Sequence, residues 1–213
     1  IAQNQQLAQE YGTGVEGIGS NAWVVSGEYT QSGKPILAND PHLATEIPSF
    51  WYLAEIQGEQ LHVTGATFPG VPFVFMGHND AIAWGTTNML ADSQDLFVMR
   101  TNPLNEDQYE VDGQWLDMEI EEELIHIKPD FPGFLTHPIP PLKWEIRKTR
   151  YGPLISDVIG RVERPLALKW TGLAEQDKSY QGFLKVNYAQ SWEDFKSAMH
   201  DYSAPAVNFV YAD

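Results

Sequence analysis

The 213-residue chain contains no cysteine, which excludes disulfide staples and thiolate metal sites. It is poor in base: 13 Lys and Arg stand against 29 Asp and Glu, a formal net charge of −16. So acidic a chain supplies no continuous phosphate-binding stripe, so nucleic acid is not expected as a partner. No run approaches the roughly 18 uncharged apolar residues of a membrane span, so no membrane partner is expected either. Ile1-Ala2-Gln3-Asn4-Gln5-Gln6 has neither the basic nor the apolar region of a secretory signal. Beginning with Ile and stopping after Ala212-Asp213, the chain reads as a piece of a longer precursor. The Gly-x-Ser-x-Gly elbow of α/β-hydrolases, the phosphate loop and the dinucleotide fingerprint are all missing, and no organic cofactor is expected. His126, His137 and His200 are scattered without metal-ligand spacing.

What the chain does have is aromatic weight: ten Phe, nine Tyr and seven Trp within 43% hydrophobic content. That composition suits broad sheet faces or an apolar ligand cleft. Short apolar runs at Trp23–Val25, Pro35–Ala38, Phe50–Ile56, Leu61–Thr67, Phe73–Met76 and Ala81–Trp84 predict strands buried on both faces. The loop Gln57-Gly58-Glu59-Gln60 predicts a hairpin, and His78-Asn79-Asp80 a strand-to-strand turn with His78 buried in it. Residues 106–123 hold nine acids and no base, which reads as a solvated strand edge or hairpin. Residues 129–141 contain five prolines and predict a loop. One helix is clear: Ser191 caps it, Asp194 sits three residues on, and Trp192, Phe195, Met199 and Tyr202 form its apolar stripe.

The chemistry centres on Gly19-Ser20-Asn21-Ala22-Trp23. If the Gly19–Ser20 bond is cut, Ser20 carries a hydroxyl and a free α-amine on one residue. An α-amine with a pKa of roughly 7.7–8.0 accepts the hydroxyl proton near neutral pH, giving a nucleophile and base in one residue. Gly12, Gly14, Gly17 and Gly19 would let the preceding segment adopt a strained turn. Alone, Gly-Ser-Asn is also an ordinary turn tripeptide.

Downstream stand Asn39-Asp40-Pro41-His42-Leu43, Gly77-His78-Asn79, Trp84-Gly85-Thr86-Thr87-Asn88 and Asn208-Phe209-Val210-Tyr211-Ala212-Asp213. In this order and spacing the set resembles the penicillin acylase family of N-terminal nucleophile hydrolases, which includes cephalosporin and acyl-homoserine lactone acylases. The likeness is dense over 17–100 and 190–213 and thin over 101–190. It implies an α+β fold, the αββα sandwich of two antiparallel sheets between helical layers, present here as a sheet-rich partial domain. Residues 1–19 would end the linker before the cleavage site, and 20–213 would form the first part of the nucleophile-bearing β-chain. The α-chain of the same precursor would be the partner in a heterodimer.

The resemblance also assigns roles. Ser20 is the nucleophile and His42 lines the site and helps orient it; that position is His in cephalosporin and homoserine-lactone acylases and Gln in penicillin G acylases. The Asn88 backbone N–H and the Asn208 side chain, expected to be buried, form the oxyanion hole. Leu43, Met76, Thr86 and Leu90 line the acyl pocket. Asp92 and Asp95, with the Gln94 carbonyl, match a structural Ca²⁺ site. The implied activity is hydrolysis of a small-molecule linear N-acyl amide, such as a β-lactam side chain, after autoproteolysis. The alternatives are an acyl-homoserine lactone acylase or an inactive unprocessed fragment with a structural role. A periplasmic or secreted bacterial location follows from the resemblance only.

Overall fold

The computed structural model describes residues 19–43, 47–128, 139–159 and 164–213. The glycines at 12, 14 and 17 and the prolines from 129 to 138 lie outside these residues. Two compact units divide the chain: one holds the residues up to Ser93 together with Ala174–Asp213, the other Gln94–Leu173.

The first unit opens with an antiparallel hairpin of β1 (Gly19–Val25) and β2 (Ile36–His42), Ser20 lying opposite Pro41 and Ala22 opposite Asn39. The expected hairpin around Gly58 follows as β3 (Tyr52–Gln57) and β4 (His62–Thr67), its loop closed by the Gly58 N–H donating to Leu61 O at 2.7 Å. Next come β5 (Met76–Asn79) and β6 (Ala83–Asn88). These two start later than the apolar runs predict. Phe73–Phe75 stays irregular because side chains take its backbone groups: Asn187 accepts from Val74 N–H and donates to Val74 O, and Thr67 donates to Phe73 O. His78 therefore sits exposed on β5 and not buried in a turn, while Asn79 is the buried member of the motif.

The second unit is built from small antiparallel sheets. Its strands are β7 (Gln94–Val98), β8 (Thr101–Asn102), β9 (Asn105–Val111), β10 (Gln114–Asp117), β11 (Glu119–Ile125), β12 (Leu142–Thr149), β13 (Gly152–Pro153) and β14 (Leu166–Trp170), with a short helix α1 (Ser156–Ile159). They pair as β14-β7, β10-β9-β8 and β11-β12-β13 around Met99, Tyr109, Met118, Leu154 and Ala167. The acidic stretch is the expected hairpin edge, β9–β10 continuing into a fully exposed β11. Lys143 and Lys148 on β12 pair with Glu122 and Glu121 across the ladder, and Arg147 grips Asp157 through two hydrogen bonds at 2.7 and 2.9 Å.

The chain then returns to the first unit with α2 (Ser179–Tyr188), α3 (Trp192–Met199) and β15 (Val207–Ala212). The capping signal of α3 holds: Ser191 accepts from Asp194 N–H at 3.2 Å and donates to its carboxylate at 2.9 Å. Helix α2 lacked such a signal, its cap position being Lys178 without a side-chain bond. Strand β15 completes a five-stranded antiparallel sheet in the order β15-β6-β5-β4-β3. Helices α2 and α3 cover one face, where Val63, Val74, Ile82, Trp84, Val186, Ala189, Phe195 and Ala198 form the core. Phe183 stacks on Phe75 at 4.3 Å and on Phe73 at 5.4 Å, contacts worth about 0.5–1.5 kcal/mol each beyond burial. The β1–β2 hairpin lies against β6 and β15. Helices, sheet and hairpin thus stack as three layers in a sheet-rich unit; a second helical layer is not among the described residues.

Two buried asparagines knit sheet to helix. Asn187, 1% exposed, bonds Val74 twice and Phe183 O once, and Asn79 donates to Asn187 O and Ala189 O while accepting from Ala81 and Ile82 N–H. Asn187→Leu keeps the branched outline with some added bulk and orphans the buried Val74 amide and carbonyl. At about 1–3 kcal/mol per unsatisfied group it should cost about 3 kcal/mol or more, read as a lower urea midpoint of the full-length protein. An unshifted midpoint would contradict this.

At the other edge of the sheet, His62 Nε2 meets Glu55 at 2.8 Å and Nδ1 meets Asp80 at 2.9 Å. Both ring nitrogens must donate, so the imidazolium is favoured. Its pKa is raised above the ordinary 6.5, first by the bond to Glu55 and then by that to Asp80. A raised pKa contributes stability below the unfolded value and loses it as pH rises through the folded one. The Tm advantage of wild type over His62→Gln should be largest near about pH 6 and shrink as the pH rises above the ordinary histidine value. An advantage that grows with pH would overturn this reading.

Candidate active site

Ser20 is half-buried on β1, and its hydroxyl donates to the Gly19 carbonyl oxygen at 2.7 Å. The strained turn expected before it does not extend into the described residues: Gly19 is regular strand, and a Cβ there would meet nothing within 4 Å.

Strand alternation decides what faces Ser20. Residues paired in the hairpin share a face, so Ser20, Pro41, Ala22 and Asn39 lie on one side, and Gly19, His42, Asn21 and Asp40 on the other. Asn39 packs on Gly85, where a Cβ would lie 2.7 Å from the Asn39 side-chain oxygen. The Ser20 side of the hairpin is therefore the side turned to the sheet. Val24 and Val25 share a groove with Tyr211 and Ala212 at one end of the two layers. The antiparallel course of β6 and β15 then puts Ser20 toward the other end, with Thr87, Asn88 and Asn208.

His42 departs from expectation. It falls on the face opposite Ser20, exposed, with its ring bonded to Asp40 at 2.9 Å. The side chain does not meet the hydroxyl it was expected to orient.

Asn208 lies directly opposite Thr87 and donates to the Thr87 hydroxyl oxygen at 3.1 Å. It is exposed, contrary to the buried position expected, because it stands on the hairpin side of the sheet and not on the helix side. One amide hydrogen is held by Thr87, and among the described residues the other has no hydrogen-bond partner. The Asn88 backbone follows from strand pairing. Met89 N–H donates to Ala206 O at 3.3 Å, so Met89, Thr87 and Gly85 direct their amides toward β15. Thr86 and Asn88 direct theirs to the opposite edge, beyond the end of β5. Thr86 finds Asn39 there, accepting and donating at 2.9 and 2.8 Å. Asn88 N–H is the next donor along that edge. Its side chain is engaged elsewhere, accepting from Leu90 N–H at 3.0 Å.

The four expected pocket residues do not gather. Met76 (7% exposed) lies on the hairpin face of the sheet and Thr86 (5%) on the helix face, while Leu43 (40%) and Leu90 (76%) are open to solvent. Asp92, Gln94 and Asp95 are all exposed, and Asp95 stands opposite Lys169. Calcium takes six to eight oxygens, and among the described residues no three acidic or histidine side chains converge on one point. The residues present do not by themselves make a calcium site. Among the described residues no helix is long and apolar enough to cross a membrane.

Asn39 was assigned no role by the sequence, yet its side chain bonds both β1 and β6. Its signal was its place three residues before His42 in the Asn-Asp-Pro-His stretch.

Ser20 thus lies on a hairpin laid over a sheet whose end carries Asn88 and Asn208. The penicillin amidase family model matches residues 1–213, and the chain belongs to that family. It is 32% identical over 205 residues to the acyl-homoserine lactone acylase QuiP of Pseudomonas aeruginosa, covering 91% of this chain and 23% of that protein. It is 33% identical over 211 residues to the penicillin G acylase of Escherichia coli, covering 98% of this chain and 24% of that one. The thermostable penicillin G acylase of Alcaligenes faecalis superposes with a TM-score of 0.68 at 26% identity, over 90% of this chain and 33% of that one. The chain thus spans about a quarter of the length of the curated relatives it matches.

Proposed function

We propose that the whole protein is an acylase that hydrolyses a linear N-acyl amide through an N-terminal serine. The observation that carries the reading is the placement of Ser20 on a strand facing the sheet end that bears Asn88 and Asn208, in a chain of this family. Cleavage of Gly19–Ser20 frees the Ser20 α-amine. The Ser20 hydroxyl then attacks the substrate carbonyl carbon while the α-amine takes its proton. Asn88 N–H and the free Asn208 amide hydrogen receive the developing oxyanion. The α-amine returns the proton to the leaving nitrogen, an acyl ester on Ser20 remains, and water releases the carboxylic acid. With Gly19–Ser20 intact Ser20 has no free amine, so the unprocessed form is inactive. The partner is the α-chain of the same precursor, and the compartment is periplasmic or secreted.

The substrate is read first as an N-acylated β-lactam nucleus, after the penicillin acylase relatives, the nucleus being the leaving amine. An acyl-homoserine lactone is the second reading. His42 stands where the family has His in cephalosporin and homoserine-lactone acylases and Gln in penicillin G acylases, so it speaks against a penicillin G acylase and does not decide between a cephalosporin and an acyl-homoserine lactone. Rates of the full-length protein on phenylacetyl and long aliphatic amides, and on acyl-homoserine lactones of both kinds, test the proposal. Hydrolysis of none of these would remove it.

Asp92, Gln94 and Asp95 enter the proposal as partial ligands of a structural Ca²⁺, the remaining oxygens coming from outside this chain. A chelator should then lower the Tm of the full-length protein, since a ligand bound only to the folded state stabilises it by mass action. An unmoved Tm with no calcium by elemental analysis would withdraw the ion.

A further inference from the structure

We infer that Asn39 is a positioning residue whose carboxamide sets the spacing between the nucleophile strand and the oxyanion strand; this rests on the reading of Ser20 and Asn88 above. The Asn39 side chain makes three hydrogen bonds that join two layers. Its Nδ2 donates to Asn21 O at 3.0 Å and to Thr86 O at 2.9 Å, and its Oδ1 accepts from Thr86 N–H at 2.8 Å. Asn21 follows Ser20 directly in the chain, and Thr86 precedes Asn88 by two residues on the same strand edge. One amide group thus fixes both partners of the reaction from their immediate neighbours.

The chemistry needs this residue type. Beyond the end of β5, Thr86 presents an N–H and a C=O side by side, which a strand partner would satisfy in a regular sheet. A carboxamide offers one acceptor and two donors in a plane, so it replaces that strand residue and still has a hydrogen for Asn21 O. Aspartate keeps only the acceptor, and glutamine is longer by one methylene. Position 85 completes the fit: a Cβ there would lie 2.7–2.9 Å from the Asn39 Oδ1, Cβ and Cγ atoms, so glycine lets the carboxamide approach β6.

The test uses the full-length protein, an N-acyl p-nitroanilide as probe, and rates normalised to the chain carrying a free Ser20 terminus. Asn39→Ala should lower kcat by about 10–100-fold with KM within about twofold, the result of a small misplacement near the reacting groups. Asn39→Asp, which keeps the acceptor for Thr86 N–H, should fall between Asn39→Ala and wild type. Gly85→Ala pushes on the same carboxamide from β6 and should give the same loss confined to kcat; it carries the test if Asn39→Ala does not fold. A brace without a positioning role would lower Tm and leave kcat within about twofold across the series, and that result overturns the inference. Ser20→Ala is run alongside. If it is inactive while the Asn39 series is flat, this inference alone fails; if it stays active, the reading beneath it fails first.

Discussion

Full-length Ser20→Ala is expected to remain a single uncut chain and to lose N-acyl hydrolysis by on the order of 10⁶-fold, the scale of removing a nucleophile. Two losses coincide because one hydroxyl serves both steps. In the self-processing proposed for the precursor, the Ser20 Oγ attacks the Gly19 carbonyl carbon, and the Gly19–Ser20 C–N bond breaks. The liberated nitrogen takes up a proton to become the α-amine, leaving Gly19 as an ester on Oγ. Water hydrolyses that ester and frees Ser20. The 2.7 Å bond from the hydroxyl to the Gly19 carbonyl oxygen places the nucleophile beside its target. Gly19 lies in regular strand outside the left-handed region, and oxyanion donors would stabilise the step. On a denaturing gel, wild type should run as two chains and Ser20→Ala as one. Cleavage of Ser20→Ala at the same bond would mean that an external protease does the cutting.

Asn208→Ala is the second large effect. It should lower kcat by roughly 10²–10³, about 3–4 kcal/mol, with KM little changed, because the bond strengthens only as the carbonyl oxygen takes on charge. The Thr87 hydroxyl holds one amide hydrogen at 3.1 Å and so aims the other. Thr87→Val should therefore give a smaller loss in the same direction. A near-wild-type kcat for Asn208→Ala would remove the residue from the oxyanion hole.

Ser20, Asn88 and Asn208 lie at or next to the ends of short strands, and the roles expected of them came from the family resemblance and not from strand spacing. The capped helix at Ser191 was legible because its signal lies within four residues. What escaped depends on contacts far apart in the chain. Phe73–Phe75 looks like a strand until Asn187, 113 positions later, takes both backbone groups of Val74. Asn39 looks like loop chemistry until Thr86, 47 positions on, is found bonded to it. Face assignments were the other casualty. His42 was placed beside Ser20 by family position, but a one-residue step along β2 turns it to the opposite side. The pocket residues failed to converge for the same reason, Met76 and Thr86 pointing to opposite faces of one sheet.

The most direct measurement is mass analysis of the active full-length protein after reaction with a slowly released acyl ester. The expected product is a peptide whose first residue is Ser20 and which carries the acyl group. Full activity with Gly19–Ser20 unbroken, or an acyl group on any other residue, would contradict the N-terminal serine mechanism.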